Sequence, residues 1–159
     1  MNNTKVLAFG EVLWDFIEGD KHFGGAPVNF AAHMVQCGRE AAIVTAVGAD
    51  KLGDQAIEAM THLNVGQDFV QRNDKLTGRV MVFLEEGQPS YRIRKDVAYD
   101  YIERSAIDPG RLQDYGAFYF GTLAQRHSVS RSALDHIMTN GRFSTVFYDV
   151  NLRRDSYSA

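Results

Sequence analysis

Hydrophobic positions along this chain follow two periods, and the switches between them mark its elements. Val6 to Phe9 is a short apolar run closed by Gly10, the pattern of a buried strand. From Glu11 to Glu18 the chain alternates. Val12, Trp14 and Phe16 share one parity and Leu13, Asp15 and Ile17 the other, so a strand here sets Asp15 among apolar neighbours. Gly19-Asp20 is the expected hairpin turn, with Lys21 to Phe23 as the returning strand. A helix then starts at Pro27, which suits a first turn, and carries Phe30, Ala31, Met34 and Val35 at helical spacing up to a stop at Gly38. Ala41 to Val47 is continuously apolar, as in a parallel strand covered on both faces. Asp54 to Leu63 is predicted as a second helix, with Ile57, Met60 and Leu63 on one stripe. Strand, helix, strand, helix at this spacing argues for right-handed crossovers and a parallel sheet.

The character changes after the second helix. Thr77 to Glu85 and Ser90 to Lys95 read as strands joined by the turn Glu86-Gly87-Gln88-Pro89, hence an antiparallel hairpin. Arg92 and Arg94 share one face of it, opposite Tyr91 and Ile93, so it looks like a flap beside the main sheet. Glu103 to Leu112 is expected to hold a short helix or turn broken by Pro109-Gly110. Ala117 to Phe120 is another buried strand, and Val129 to Met138 a helix capped by Ser128 or Ser130. A last strand, Thr145 to Tyr148, runs into Asp149-Val-Asn-Leu-Arg153. With no linker or repeat, all 159 residues read as one domain. An open sheet that stops there looks unfinished, and its unpaired edge and bare apolar face predict self-association.

Composition narrows the class. A net charge of −3 exerts no global pull toward nucleic acid or an anionic membrane, so neither is an expected partner. The single cysteine, Cys37, precludes an internal disulfide and fits a reducing compartment. It falls on the apolar face of the first helix, where a buried, inert thiol is expected. The N-terminus lacks the apolar core of a signal peptide and no stretch approaches the length of a membrane span, so the expected location is cytoplasmic.

Polar ligands of open parallel sheets bind beyond the carboxyl ends of the strands. Those ends carry Asp15, Gly48 to Asp50, Gly121-Thr122 and Asp149 to Arg153. Between them lies Gly24-Gly25-Ala26-Pro27-Val28-Asn29, where two glycines permit close backbone approach and a helix N-terminus presents free N–H groups. Carboxylates, amides and guanidinium groups over a glycine floor suit a small ligand with many hydroxyls. Each piece also has a plainer role: Asp50 as a helix cap, the hairpin arginines as a solvated face, Asp149 to Arg153 as a surface loop. The chain has no Gly-x-x-x-x-Gly-Lys-[Ser/Thr] loop and no Gly-x-Gly-x-x-Gly after the first strand, which disfavours a dinucleotide-binding protein. Its five histidines show no metal-ligand spacing.

The series Gly24-Gly25-Ala-Pro27-Val-Asn29-Phe-Ala31, then Gly38 and Gly48, resembles the N-terminal signature of the ribokinase-like (PfkB) carbohydrate kinases. Gly10-Glu-Val-Leu-Trp-Asp15, Val47-Gly-Ala-Asp50-Lys-Leu-Gly53, Thr77-Gly78 and Asp149-Val-Asn-Leu-Arg153 are similar to it too, the last to the fructokinase and 2-keto-3-deoxygluconate kinase branch. The resemblance implies the N-terminal part of a single domain, a three-layer α/β/α sandwich truncated at its C-terminal side, with lid strands near 12–23 and 78–95. It implies transfer of the γ-phosphoryl group of ATP, with Mg²⁺, to a sugar hydroxyl. It also implies that Asp15, Gly25 and Asn29 bind sugar hydroxyls, that Gly24 allows the approach, that Arg92 or Arg94 covers the sugar, and that Arg153 reaches its distal oxygens. The family's catalytic base, an aspartate in a Gly-Ala-Gly-Asp-like motif, would lie beyond Ala159. The chain alone is therefore expected to bind neither ATP nor Mg²⁺ and to lack kinase activity. A non-catalytic sugar-binding or interaction module is the alternative.

Overall fold

The computed structural model describes residues 5–85 and 88–152. In chain order the elements are β1 (Val6–Phe9), β2 (Leu13–Ile17), β3 (Asp20–Gly24), α1 (Ala26–Gln36), β4 (Ala41–Gly48), α2 (Lys51–His62), β5 (Gly66–Asn73), β6 (Gly78–Glu85) and β7 (Gln88–Ile93). Two 3₁₀ turns, Ala98–Tyr101 and Arg104–Ala106, lead to α3 (Pro109–Leu112), β8 (Ala117–Gly121), a third such turn (Leu123–Arg126), α4 (Ser128–Asn140) and β9 (Thr145–Asp149).

Five strands form a parallel sheet in the order β5-β4-β1-β8-β9. The uniformly apolar β1 and β4 occupy its middle, where both faces are covered, and every residue of each strand is buried. On one face Ala31 and Val28 of α1 and Ala56 and Met60 of α2 pack on Ala8 and Ile43. On the other, Ala133, Leu134 and Ile137 of α4 and the 3₁₀ segment around Tyr99 pack on Leu7, Phe9 and Phe118. The result is the expected α/β/α sandwich. Each fully buried Leu, Ile or Phe of these layers contributes roughly 1.5–3 kcal/mol of transfer free energy.

The remaining four strands form a separate sheet, β3-β2-β6-β7, with antiparallel pairs at both ends and β2 parallel to β6 in the middle. This is the lid. Its turn between β2 and β3 is Glu18-Gly19, both at positive φ, one residue earlier than the predicted Gly19-Asp20. Trp14 Nε1 donates a 3.0 Å hydrogen bond to the Leu52 carbonyl, tying the lid to the start of α2.

Other expectations change. β5 has no counterpart in the hydrophobic pattern, because an edge strand with only Phe69 fully buried does not alternate cleanly. α2 begins at Lys51 instead of Asp54, since Asp50 is its N-cap. Pro109 starts α3 and does not break it: Asp108 caps the turn by accepting from Gly110 N at 2.8 Å. α4 is capped by His127 Nδ1, not by Ser128 or Ser130. Ser130 is buried and bridges Tyr99 O and Ile102 N instead. Cys37 is exposed, because it follows α1 as its C-cap and lies off the helix's packed face.

Candidate functional site

The carboxyl ends of β1, β8 and β9, the N-terminus of α1 and the inner face of the lid enclose a cavity of about 330 Å³. From the lid come Leu13, Asp15, Ile17, Val80, Val82, Tyr91 and Ile93. The floor is made by Glu11, Gly25, Ala26 and Asn29, and the far wall by Gly121, Thr122, Leu123, Asp149 and Asn151. Asp15 is the one ionisable side chain among those lid residues other than the Tyr91 phenol, so it supplies a directional acceptor in an otherwise apolar roof.

The glycine turn explains how the floor and the lid meet. Gly25 has φ 122°, and a Cβ there would collide with the Glu11 carbonyl. This lets the first turn of α1 approach the β1–β2 link, with Asn29 exposed on that turn. Gly24 is not in the cavity lining; a Cβ on it would stand 3.0 Å from Asp15 Oδ2, so its smallness leaves room for the carboxylate.

On the far wall, Tyr119 donates a 2.6 Å hydrogen bond to Asp149 Oδ2, and Asn151 N donates to Asp149 Oδ1 at 3.1 Å. Burial and this bond together push the Tyr119 phenol well above its ordinary range. Phe30 of α1 stacks on the Tyr119 ring at 4.2 Å, which fixes the phenol's direction. Glu11 is 5% exposed, and burial raises its carboxyl to about 7, against hydrogen bonds from its own N–H and that of Ala26; the nearby Asp149 charge raises it further. One of its oxygens, Oε2, is buried without a hydrogen-bond partner among the described residues.

Asp50 does not reach the cavity. Its Oδ1 accepts from Gly53 N at 2.8 Å and from the Thr77 hydroxyl at 2.7 Å, and its Oδ2 from Thr77 N at 2.9 Å. Burial opposes ionisation, but these three bonds outweigh it and hold the carboxyl below the usual range. Asp50 thus both caps α2 and clasps the foot of β6.

Of the residues named from the sequence, the structure gathers Asp15, Gly25 and Asn29 around one cavity and places Gly24 behind Asp15. It does not bring in Arg92 or Arg94. The apolar parity of the hairpin, Tyr91 and Ile93, turns inward, so Arg92 lies on the outer face with its guanidinium 5.4 Å from the Phe83 ring centroid. Arg94 is exposed just past β7. Arg153 lies outside the described residues. Glu11 and Tyr91 are cavity residues that sequence reasoning does not single out. Glu11 directly follows the Gly10 that closes β1, so the rule of strand carboxyl ends is the signal that marks it. Among the described residues no group of three or more His, Cys, Asp or Glu converges as a metal site, and no helix is long and apolar enough to cross a membrane.

The pfkB carbohydrate kinase pattern matches residues 3–158, nearly the whole length. The chain belongs to the pfkB family of carbohydrate kinases. It is 31% identical over 163 residues to a sugar kinase of Pyrococcus horikoshii, covering 94% of this chain and 53% of that protein. To an ATP-dependent 6-phosphofructokinase of Thermoanaerobacterium thermosaccharolyticum it is 27% identical over 159 residues, covering 92% and 49%. The solved structure of the Pyrococcus horikoshii protein, described as an uncharacterized sugar kinase, superposes with a TM-score of 0.85 at 29% identity over 94% of this chain and 56% of that one. That protein has also been solved in complex with ATP. A fructokinase from Xylella fastidiosa shares the fold, with a TM-score of 0.85 at 20% identity over 98% of this chain and 53% of its own. The chain therefore spans about half the length of the family members it matches.

Proposed function

We propose that this chain carries the sugar-binding half of an ATP-dependent carbohydrate kinase of the fructokinase type. The observation that carries the reading is the cavity itself: Asp15 from the lid and the Gly25–Asn29 turn of α1 converge over a strand-end floor. There Asp15 would accept hydrogen bonds from two adjacent hydroxyls, Asn29 would donate and accept at a third, and the apolar lid residues would cover the ring carbons. Closing the lid over the sugar would exclude water from the hydroxyl to be phosphorylated. ATP with Mg²⁺ would supply the phosphoryl group in the whole enzyme. The aspartate expected as base falls in the half of the relatives' length that this chain does not span. Because phosphoryl transfer rests on positioning and on stabilising charge at the transferred group, the 159-residue chain by itself is expected to hold sugar without turning it over. A thermal-shift screen of sugars and sugar acids, with Asp15→Asn as control, tests the binding; a coupled assay of ADP release with fructose tests the turnover. Stabilisation by no sugar, or ADP release above a blank, would each overturn its half of the reading.

The same reading includes a cytoplasmic location and self-association. Met81 and Phe83 are exposed on the outer face of the lid, and Val146, Phe147 and Tyr148 on the edge strand β9. Exposed apolar positions grouped on strands favour pairing with a second copy. Light scattering after size exclusion should give a mass above that of a monomer at micromolar concentration; a monomer would remove this part of the reading.

A further inference from the structure

Among the described residues, the buried side-chain atoms without a hydrogen-bond partner include Glu11 Oε2 and Arg126 Nη1, both where the lid joins the core. Each belongs to a group that is otherwise anchored. The Glu11 carboxyl accepts from its own N–H and that of Ala26. Arg126 donates from Nε and Nη2 to the two oxygens of Asp100 at 2.7 and 2.8 Å, and Nη2 also reaches the Arg94 carbonyl at 2.7 Å and the Tyr99 hydroxyl at 3.1 Å. Their positions in the chain are what give the pair its interest. Glu11 lies in the link by which the chain leaves β1 for the lid, and Arg94 lies just where it returns from β7. Arg126 therefore holds one foot of the lid, and Glu11 is part of another.

We propose that Glu11 and Arg126 are positioning residues that latch the lid: ionised Glu11 draws Nη1 of Arg126 to its free oxygen and fixes both lid feet to the core, and protonated Glu11 releases them. An unpaired buried guanidinium N–H and an unpaired buried carboxylate oxygen are each costly, and a charge-assisted bond between them satisfies both. Each already feels the other's charge, which favours the anion of Glu11 and the cation of Arg126. Burial and the Asp149 carboxylate at the end of β9 oppose that ionisation, while the neutral phenols of Tyr119 in β8 and Tyr99 complete the groups that interact with Glu11. The carboxyl consequently titrates near neutrality, at about 7. The latch needs no ligand, so it stands or falls separately from the sugar reading.

Trp14, the sole tryptophan, reports on the lid, because it lies in β2 with its indole N–H on the Leu52 carbonyl of the core and its ring 5.2 Å from Phe23. The experiment is Trp14 fluorescence of the 159-residue chain between about pH 5.5 and 8.5, a window that brackets the Glu11 transition. It is done in a His22→Gln background, which leaves no histidine in the β2–β3 hairpin that carries Trp14. A single transition with its midpoint near 7 is expected, absent in Glu11→Gln, shifted but retained in Arg126→Lys, and lost in Arg126→Met. Glu11→Gln keeps the shape of the side chain, so its trace is decisive even where Arg126→Met folds poorly. A transition of unchanged midpoint in Glu11→Gln, or a flat trace in the parent, would overturn the latch.

Discussion

Gly25 and Glu11 are in contact through their backbones, and no other residue type at position 25 fits that contact. The φ of 122° at Gly25 is one that L side chains rarely adopt, and a Cβ would strike the Glu11 carbonyl. Gly25→Ala is therefore expected to destabilise the chain by about 2 kcal/mol or more, through strain and collision together. Denaturant unfolding monitored by circular dichroism measures it. The same variant should weaken sugar binding, because the first turn of α1 would be pushed away from the β1–β2 link. A cost below that of an ordinary surface substitution would mean that the close approach is not required.

Asp50 offers a test of how the lid is fastened. Asp50→Ala removes an N-cap acceptor for α2 and the clasp on Thr77, and should cost about 2 kcal/mol, the upper part of the range for lost caps. Thr77→Val should reproduce part of this loss, and the double variant should fall short of the sum, since both act in one hydrogen-bonded unit. The pH dependence follows from the lowered carboxyl. Stability from Asp50 is present above the unfolded value, near 3.8, and is lost as pH falls through the lower folded value. Unfolding of Asp50→Asn should therefore be easier than that of the parent at higher pH, and the two stability curves should converge as pH falls through that acid range.

Glu11 has the opposite sign. Its folded carboxyl, at about 7, lies above the ordinary 4.5, so the folded chain binds more protons than the unfolded one between these values. Stability should fall as pH rises across that window, by about 3 kcal/mol in all if no other group intervenes. Glu11→Gln should flatten that slope and raise stability at pH values above the window. An unchanged slope would show that the carboxyl is better solvated than its 5% exposure implies.

Tyr119→Phe removes the donor to Asp149 Oδ2 without disturbing the stack on Phe30. A hydrogen bond to a charged group is worth roughly 1.5–3 kcal/mol, and partial exposure of the pair places the expected cost toward the lower figure. Thermal unfolding reads it.

Much of this site is legible in the sequence because it rests on local signals. A Gly-Gly-Ala-Pro run before an apolar helix marks the floor, and the parity of β2 assigns Asp15 a face. The β6–β7 hairpin is equally plain, but which face turns inward depends on what the lid covers. Tyr91 and Ile93 line the cavity, Ile93 packing partly against the core, while Arg92 stacks outside on Phe83. β5 escapes because an edge strand need not alternate, and Cys37 is misplaced because the helix ends one residue before it. Glu11 illustrates a third kind of limit. Burial sets its charge first, and the charged groups that act on it, Asp149 and Arg126, are distant from it in sequence, so no local pattern reveals its raised carboxyl.

The measurement that bears most directly on the sugar site is calorimetric titration of fructose and of 2-keto-3-deoxygluconate into the 159-residue chain and its Asp15→Asn variant. Saturable binding of at least one of them by the parent, weakened about tenfold or more in a variant of unchanged melting temperature, is the expected result. Equal binding by parent and variant, or no binding of either sugar, would contradict the assignment of this cavity to a sugar.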